Sequence, residues 1–141
     1  MESNKSKWHS RLTIWVVCIL FFELISGLVI YLVSFIVTTQ ALVIMHTAVG
    51  LVAVIPYIIY QIRHWLSYRK NKLTQHKLIG YIAMVTAVAA AITGILLTYE
   101  AVFLTHINYL WDQIHIVATF AFLLSVVPHI GLLILRDFKA I

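Results

Sequence analysis

Residues 41–66 read ALVIMHTAVGLVAVIPYIIYQIRHWL. A single charged side chain, Arg63, interrupts this run near its end. Roughly 20 apolar residues cross a hydrocarbon core as a helix rising about 1.5 Å per residue. Backbone groups in lipid must be satisfied within their own segment, so a run of this length crosses as a helix. Three further runs have the same character, at about 12–37, 78–99 and 113–135. The whole chain is 141 residues, 62% hydrophobic and 11% charged. A soluble domain is nearer roughly 45–50% apolar and about 25% charged. A body this small cannot hide so much apolar surface from water. The expected fold is therefore all-α, a four-transmembrane-helix bundle. One membrane domain covers 1–141, with no room for a soluble one.

The ten Lys and Arg residues all fall toward one side of these spans. Lys5, Lys7 and Arg11 precede the first, and Arg136 and Lys139 follow the fourth. Arg63 ends the second, and Arg69, Lys70, Lys72 and Lys77 lie between the second and third. The connections Thr38–Gln40 and Glu100–Asp112 carry none. By the positive-inside rule both termini and the 67–77 loop are expected in the cytoplasm. The net charge of +5 is thereby explained without a nucleic-acid partner. Trp8, Trp65, Tyr68, Tyr99, Tyr109 and Trp111 sit near span ends, where interfacial aromatics belong. The first apolar run is too long for a signal-peptide core. The lone Cys18 excludes a disulfide framework, and no C-x-x-C-H motif provides for covalent haem.

Seven histidines in so small a membrane chain are its most informative feature. Ionisable groups at membrane depth are costly and mark function. His46 and His64 stand eighteen residues apart on the second span, five turns, so they share a face. His115 and His129 stand fourteen apart on the fourth, two heptads, and also share one. His46 and His115 lie near the outer ends of their spans, His64 and His129 near the inner ends. The four can pair at two depths, about 27 Å apart on the second span and about 21 Å on the fourth. Helix tilt or a bend at Pro56 has to absorb the difference. Two imidazoles facing each other supply the axial ligands of a haem. This reading makes His46 with His115, and His64 with His129, the iron ligands of two non-covalent b haems. Gly50, Ala118 and Thr119 beside the outer pair leave space for a porphyrin face. The third span carries a small-residue stripe, Gly80, Ala83, Ala87, Ala90 and Gly94, open to a neighbouring helix or a flat cofactor. His9 reads as interfacial. No strong internal repeat is visible beyond a faint echo of Pro56-Tyr57 in Pro128-His129.

The stretches HTAVGLVAVIPYIIYQIRHW, HKLIGYIAMVTAVAAAITGILL and WDQIHIVATFAFLLSVVPHIGLL resemble bacterial di-haem cytochrome b membrane subunits. These subunits are the four-helix anchors of respiratory oxidoreductases. The resemblance covers roughly residues 41–135 and leaves the first span unmatched. It implies electron transfer between a quinone pool and another redox subunit, either a cytochrome or an iron–sulfur protein. It also implies that the chain is not catalytic alone. By position it gives His46 and His115 to the outer haem and His64 and His129 to the inner one. The family's commoner, shorter spacing on the second span falls on Tyr60 here, and His76 is then the alternative partner of His129.

The remaining polar residues keep more than one reading. Arg63, Arg69, His76 and Lys77 cluster toward the cytoplasmic face. Arg63 and Lys77 could hold haem propionates by charge-assisted hydrogen bonds, or simply serve topology. Glu100, His106 and Asp112 are proton carriers for a quinol or ordinary loop residues. Glu23 lies about twelve residues past Arg11, near mid-membrane, with Ser26, Gly27, Tyr31 and Ser34 on or beside its face. It is a proton or quinone residue, the acid of a small proton-coupled transporter, or a protonated carboxyl hydrogen-bonded to a helix neighbour. A non-redox assembly subunit is the third reading. Only the cytochrome reading expects a haem absorption band.

Overall fold

The structure, a computed structural model, describes residues 11–138. His9, with Lys5, Lys7, Trp8 and Lys139, lies outside the described residues. Four helices follow one another: α1 (Arg11–Leu32), α2 (Val37–Tyr68), α3 (Gln75–Phe103) and α4 (Tyr109–Phe138). No strand occurs among the described residues. All four helices are long and apolar enough to cross a membrane, which makes this a multi-pass membrane protein. Side chains midway along them bear this out, with Val52 74% and Leu124 75% exposed. Apolar groups so placed need lipid as their solvent.

The chain divides into two compact units, Met1–Arg69 and Lys70–Ile141. Each is a helical hairpin, α1 packed on α2 in the first and α3 on α4 in the second. The faces in contact are lined by small and hydroxyl side chains. Val16, Ser26 and Tyr57 are buried in the first hairpin, and Ala83, Ala87, Thr93, Ala118, Phe122 and Ser125 in the second. Small residues let helix backbones approach closely, the packing mode that works in lipid. The small-residue stripe of α3 is therefore covered by α4.

The helix ends depart from the hydropathy pattern in two places. The first connection is not Thr38–Gln40 but residues 33–36, Val-Ser-Phe-Ile. Those residues are apolar enough to read as helix, yet the break is set by a cap. Thr39 Oγ1 accepts the Ile36 N–H at 2.7 Å and lies 2.8 Å from the Ile36 carbonyl, closing the first turn of α2 around its own start. The second connection shortens from Glu100–Asp112 to residues 104–108. Glu100 Oε2 accepts the Asn108 N–H at 2.8 Å, and the Asn108 side chain accepts from Leu110 N at 2.9 Å. Glu100 thus ties the loop, while Asp112 lies in the first turn of α4, where a negative charge favours the helix dipole. Within the second unit, Thr74 caps α3 by accepting from Lys77 N at 3.2 Å.

Candidate functional site: two captured imidazoles

In the first hairpin His46 projects from α2 onto α1. Its Nδ1 lies 2.8 Å from Ser26 Oγ and 3.1 Å from Glu23 Oε2. Ser26 donates its own proton to the Phe22 carbonyl at 2.7 Å. With Glu23 ionised its oxygen can only accept, which places the proton on Nδ1. The ring lone pair then resides on Nε2. Gly27, next to Ser26, makes room for the ring: a Cβ there would sit 3.3 Å from His46 Cε1.

The second hairpin repeats the device. His115 projects from α4 onto α3, with Nδ1 3.1 Å from Thr93 Oγ1 and 3.0 Å from the Ala90 carbonyl. Thr93 donates its proton to the Ala89 carbonyl at 2.8 Å. A backbone carbonyl only accepts, so the Ala90 contact places the proton on Nδ1. Gly94, next to Thr93, makes the same allowance, its added Cβ being 3.3 Å from His115 Cε1. Ser26-Gly27 and Thr93-Gly94 are equivalent pairs. Each lies on the first helix of its hairpin and serves a histidine on the second.

His129 is held differently. Its ring stacks on His76 of α3, centroids 4.4 Å apart and planes 5° from parallel. Beneath it lies Gly80, where a Cβ would come within 2.8 Å of His129 Cε1. His64 lies in the first unit between Tyr60 and Tyr68 of its own helix, at centroid distances of 5.6 Å and 4.8 Å. One turn further from this end of α2, Gln61 Nε2 donates to the Tyr57 hydroxyl at 2.6 Å.

The basic residues near these ends are engaged locally. Lys77 Nζ donates to the Asn71 carbonyl at 2.6 Å and lies 5.6 Å from the Tyr81 ring centroid. Arg69 lies over Trp65 at 5.2 Å. Arg63 is exposed, its carbonyl accepting from Ser67 Oγ at 2.8 Å.

Several expectations meet these facts unevenly. The hairpins bring His46 to Ser26 and Glu23, His115 to Thr93, and His129 to His76. The space beside Gly50 is not open for a porphyrin; it is taken by Glu23, whose Oε2 would lie 3.2 Å from a Cβ there. The small residues on α3 likewise receive imidazoles, His115 at Gly94 and His129 at Gly80. Thr93 had not stood out as a site residue, while Gly27, Ala90 and Gly94 stood out only as neighbours or as small residues. The signal that finds Thr93 is the hydroxyl–glycine pair, repeated at Ser26-Gly27 and Thr93-Gly94.

The donor chemistry of His46 and His115 suits a haem iron. A ligating histidine gives its other N–H to a carboxylate or carbonyl, which fixes the ring and raises its basicity. Both residues have such an acceptor. The His76–His129 stack does not suit two axial ligands of one iron, because parallel rings face to face direct their nitrogens side by side. No group of three or more His, Cys, Asp or Glu side chains among the described residues could hold a bare metal ion. Comparison with protein-family models, curated proteins and solved structures gave no significant match.

Proposed function

We propose that this protein carries electrons across a membrane through b-type haem, as the membrane subunit of a respiratory complex. The supporting observation is that two half-buried imidazoles, His46 and His115, each have Nδ1 engaged by two polar groups of the neighbouring helix. An acceptor at Nδ1 fixes the ring and leaves Nε2 as the base, as a metal-ligating histidine needs. When bound, haem supplies the one-electron couple; the protein's part is to orient and tune it.

His46 and His115 are the proposed ligands of an outer haem, paired because the sequence gives them a common depth. His129 is the proposed ligand of an inner haem. Its partner is His64, or His76 once the stack opens; Arg63 and Lys77 are the proposed propionate partners. Quinone or quinol is the proposed exchange partner at one end, and a cytochrome or iron–sulfur subunit at the other. The proposed orientation places both termini on the cytoplasmic side of a bacterial plasma membrane.

The test is haem itself. The purified chain should release haem into acid–acetone, and a pyridine haemochrome assay should return close to two per chain. A value near zero ends this reading.

A further inference from the structure

The two captured imidazoles differ in one acceptor. Both lie against a hydroxyl, but the second acceptor of His115 is the Ala90 carbonyl, whereas that of His46 is a carboxyl oxygen of Glu23. The carboxyl is seated deliberately. Its side chain is only 19% exposed, beside an imidazole 22% exposed. The facing residue on α2 is Gly50, and any side chain there would press on Oε2 from 3.2 Å. The second oxygen, Oε1, is buried without a hydrogen-bond partner among the described residues. Burying a carboxyl at this depth is costly, and leaving one of its oxygens unbonded adds to the cost. Packing alone does not account for it. A leucine would fill the same room without penalty, and Ser26 already holds the ring as Thr93 does in the other hairpin.

We infer that Glu23 is a positioning residue for His46: by taking its Nδ1–H, it makes Nε2 of His46 a stronger donor than Nε2 of His115. This rests on the haem reading above. Ser26 orients the ring in the plane it needs, and Glu23 adds the electron-rich acceptor. A more donating ligand would stabilise ferric iron, so Glu23 would lower the potential of a haem held by His46. Gly50 belongs to the same device, as the clearance that lets the carboxyl reach the ring.

The experiment is a redox titration and low-temperature ferric EPR on the full-length, haem-loaded chain. Glu23→Leu should raise the midpoint of one haem and shift its g-values, leaving the other haem unmoved. Glu23→Gln, which keeps an oxygen acceptor, should return the g-values toward wild type with an intermediate midpoint. Gly50→Ala should shift the same haem in the same direction as Glu23→Leu, and it carries the test should Glu23→Leu fail to assemble. Wild-type midpoint and g-values in Glu23→Leu, or in Gly50→Ala where Glu23→Leu does not assemble, overturn the inference while the haem reading stands. A wild-type chain that binds no haem overturns both, and that outcome shows before any variant is made.

Discussion

The two hairpins solve one problem with the same parts and then diverge. In each, the helix after the loop sends an imidazole back to the helix before it. In each, a hydroxyl followed by a glycine receives it, Ser26-Gly27 for His46 and Thr93-Gly94 for His115. Away from that level they differ. The first hairpin adds Glu23 and, further along α2, the bonded pair Gln61 and Tyr57. The second fills its middle with Ala83, Ala87, Ala118 and Phe122, and ends on the His76–His129 stack. What recurs is the capture of Nδ1, and what varies is the polarity around it. A recurring part with a varying surround is what a ligand needs when its binding is shared and its tuning is not.

The strongest way to break this comparison is to remove the captured rings. His46→Ala and His115→Ala should each abolish the same haem and spare the other, halving the pyridine haemochrome yield. Loss of different haems in the two variants would separate the hairpins and end their equivalence. The inner level has its own version. His129→Ala should remove the remaining haem, and His64→Ala should do the same. If His76→Ala matches His129→Ala and His64→Ala does not, His76 is the ligand and the stack must open to let it bind.

The glycines give the next effect. Gly80→Ala places a Cβ 2.8 Å from His129, closer than atoms tolerate, so the ring or the helix must move. Overpacking of this kind costs about 1–3 kcal/mol. Gly27→Ala and Gly94→Ala meet their rings at 3.3 Å, and each should cost less than Gly80→Ala and about as much as the other. Gly131→Ala meets nothing within 4 Å and serves as the control. Reversible unfolding in mixed detergent micelles ranks the four. A cost at Gly27 clearly unlike that at Gly94 would show that the two pockets are not the same device.

Most of the fold was legible in hydropathy, and the reason is physical. Lipid imposes one rule on the backbone and one on composition, so four apolar runs mean four helices. The ends were less legible because a cap outweighs hydropathy: Thr39 breaks the chain at residues 33–36, although Val33, Phe35 and Ile36 would suit a span. Of the site, the histidines were visible because a basic side chain in a span stands out by type. Their partners were not. Ser26 was noted only as a neighbour of Glu23, and Thr93 not at all, since hydroxyls are tolerated in membrane helices by bonding their own backbone. Gly50 was read as space for a cofactor because composition shows that a site is small, not what fills it. The carboxyl of Glu23 fills it.

Removing a hydroxyl tests the capture more gently. Thr93→Val leaves His115 the Ala90 carbonyl, and Ser26→Ala leaves His46 the Glu23 carboxyl. One hydrogen bond is lost in each, about 0.5–1.5 kcal/mol, or a several-fold weakening of haem affinity. The remaining acceptor decides which suffers more. An ionised carboxyl oxygen is the stronger acceptor, so with Glu23 ionised Ser26→Ala should weaken haem less than Thr93→Val. Haem transfer to apomyoglobin, followed by absorbance, gives the ratio. The reverse order would show that Glu23 contributes less to His46 than the Ala90 carbonyl contributes to His115.

The smallest expected effect lies in the polar part of the first hairpin that the second lacks. Gln61 donates to the Tyr57 hydroxyl at 2.6 Å, and Tyr57 is buried. Tyr57→Phe deletes the acceptor and leaves the ring. In water-soluble cores an orphaned amide costs about 1–3 kcal/mol. Within a membrane protein, side-chain hydrogen bonds average about 0.6 kcal/mol, because the unfolded helix also finds partners in the bilayer. The smaller figure applies here, since donor and acceptor are one turn apart on the same helix and stay together when the hairpin opens. Tyr57→Phe should therefore lower stability by about 0.6 kcal/mol in mixed-micelle unfolding and leave both haems spectrally unchanged. If instead the haem at His46 shifts, the polar stretch of α2 is joined to the Glu23 device. The difference between the hairpins would then extend along the whole helix rather than resting on one carboxyl.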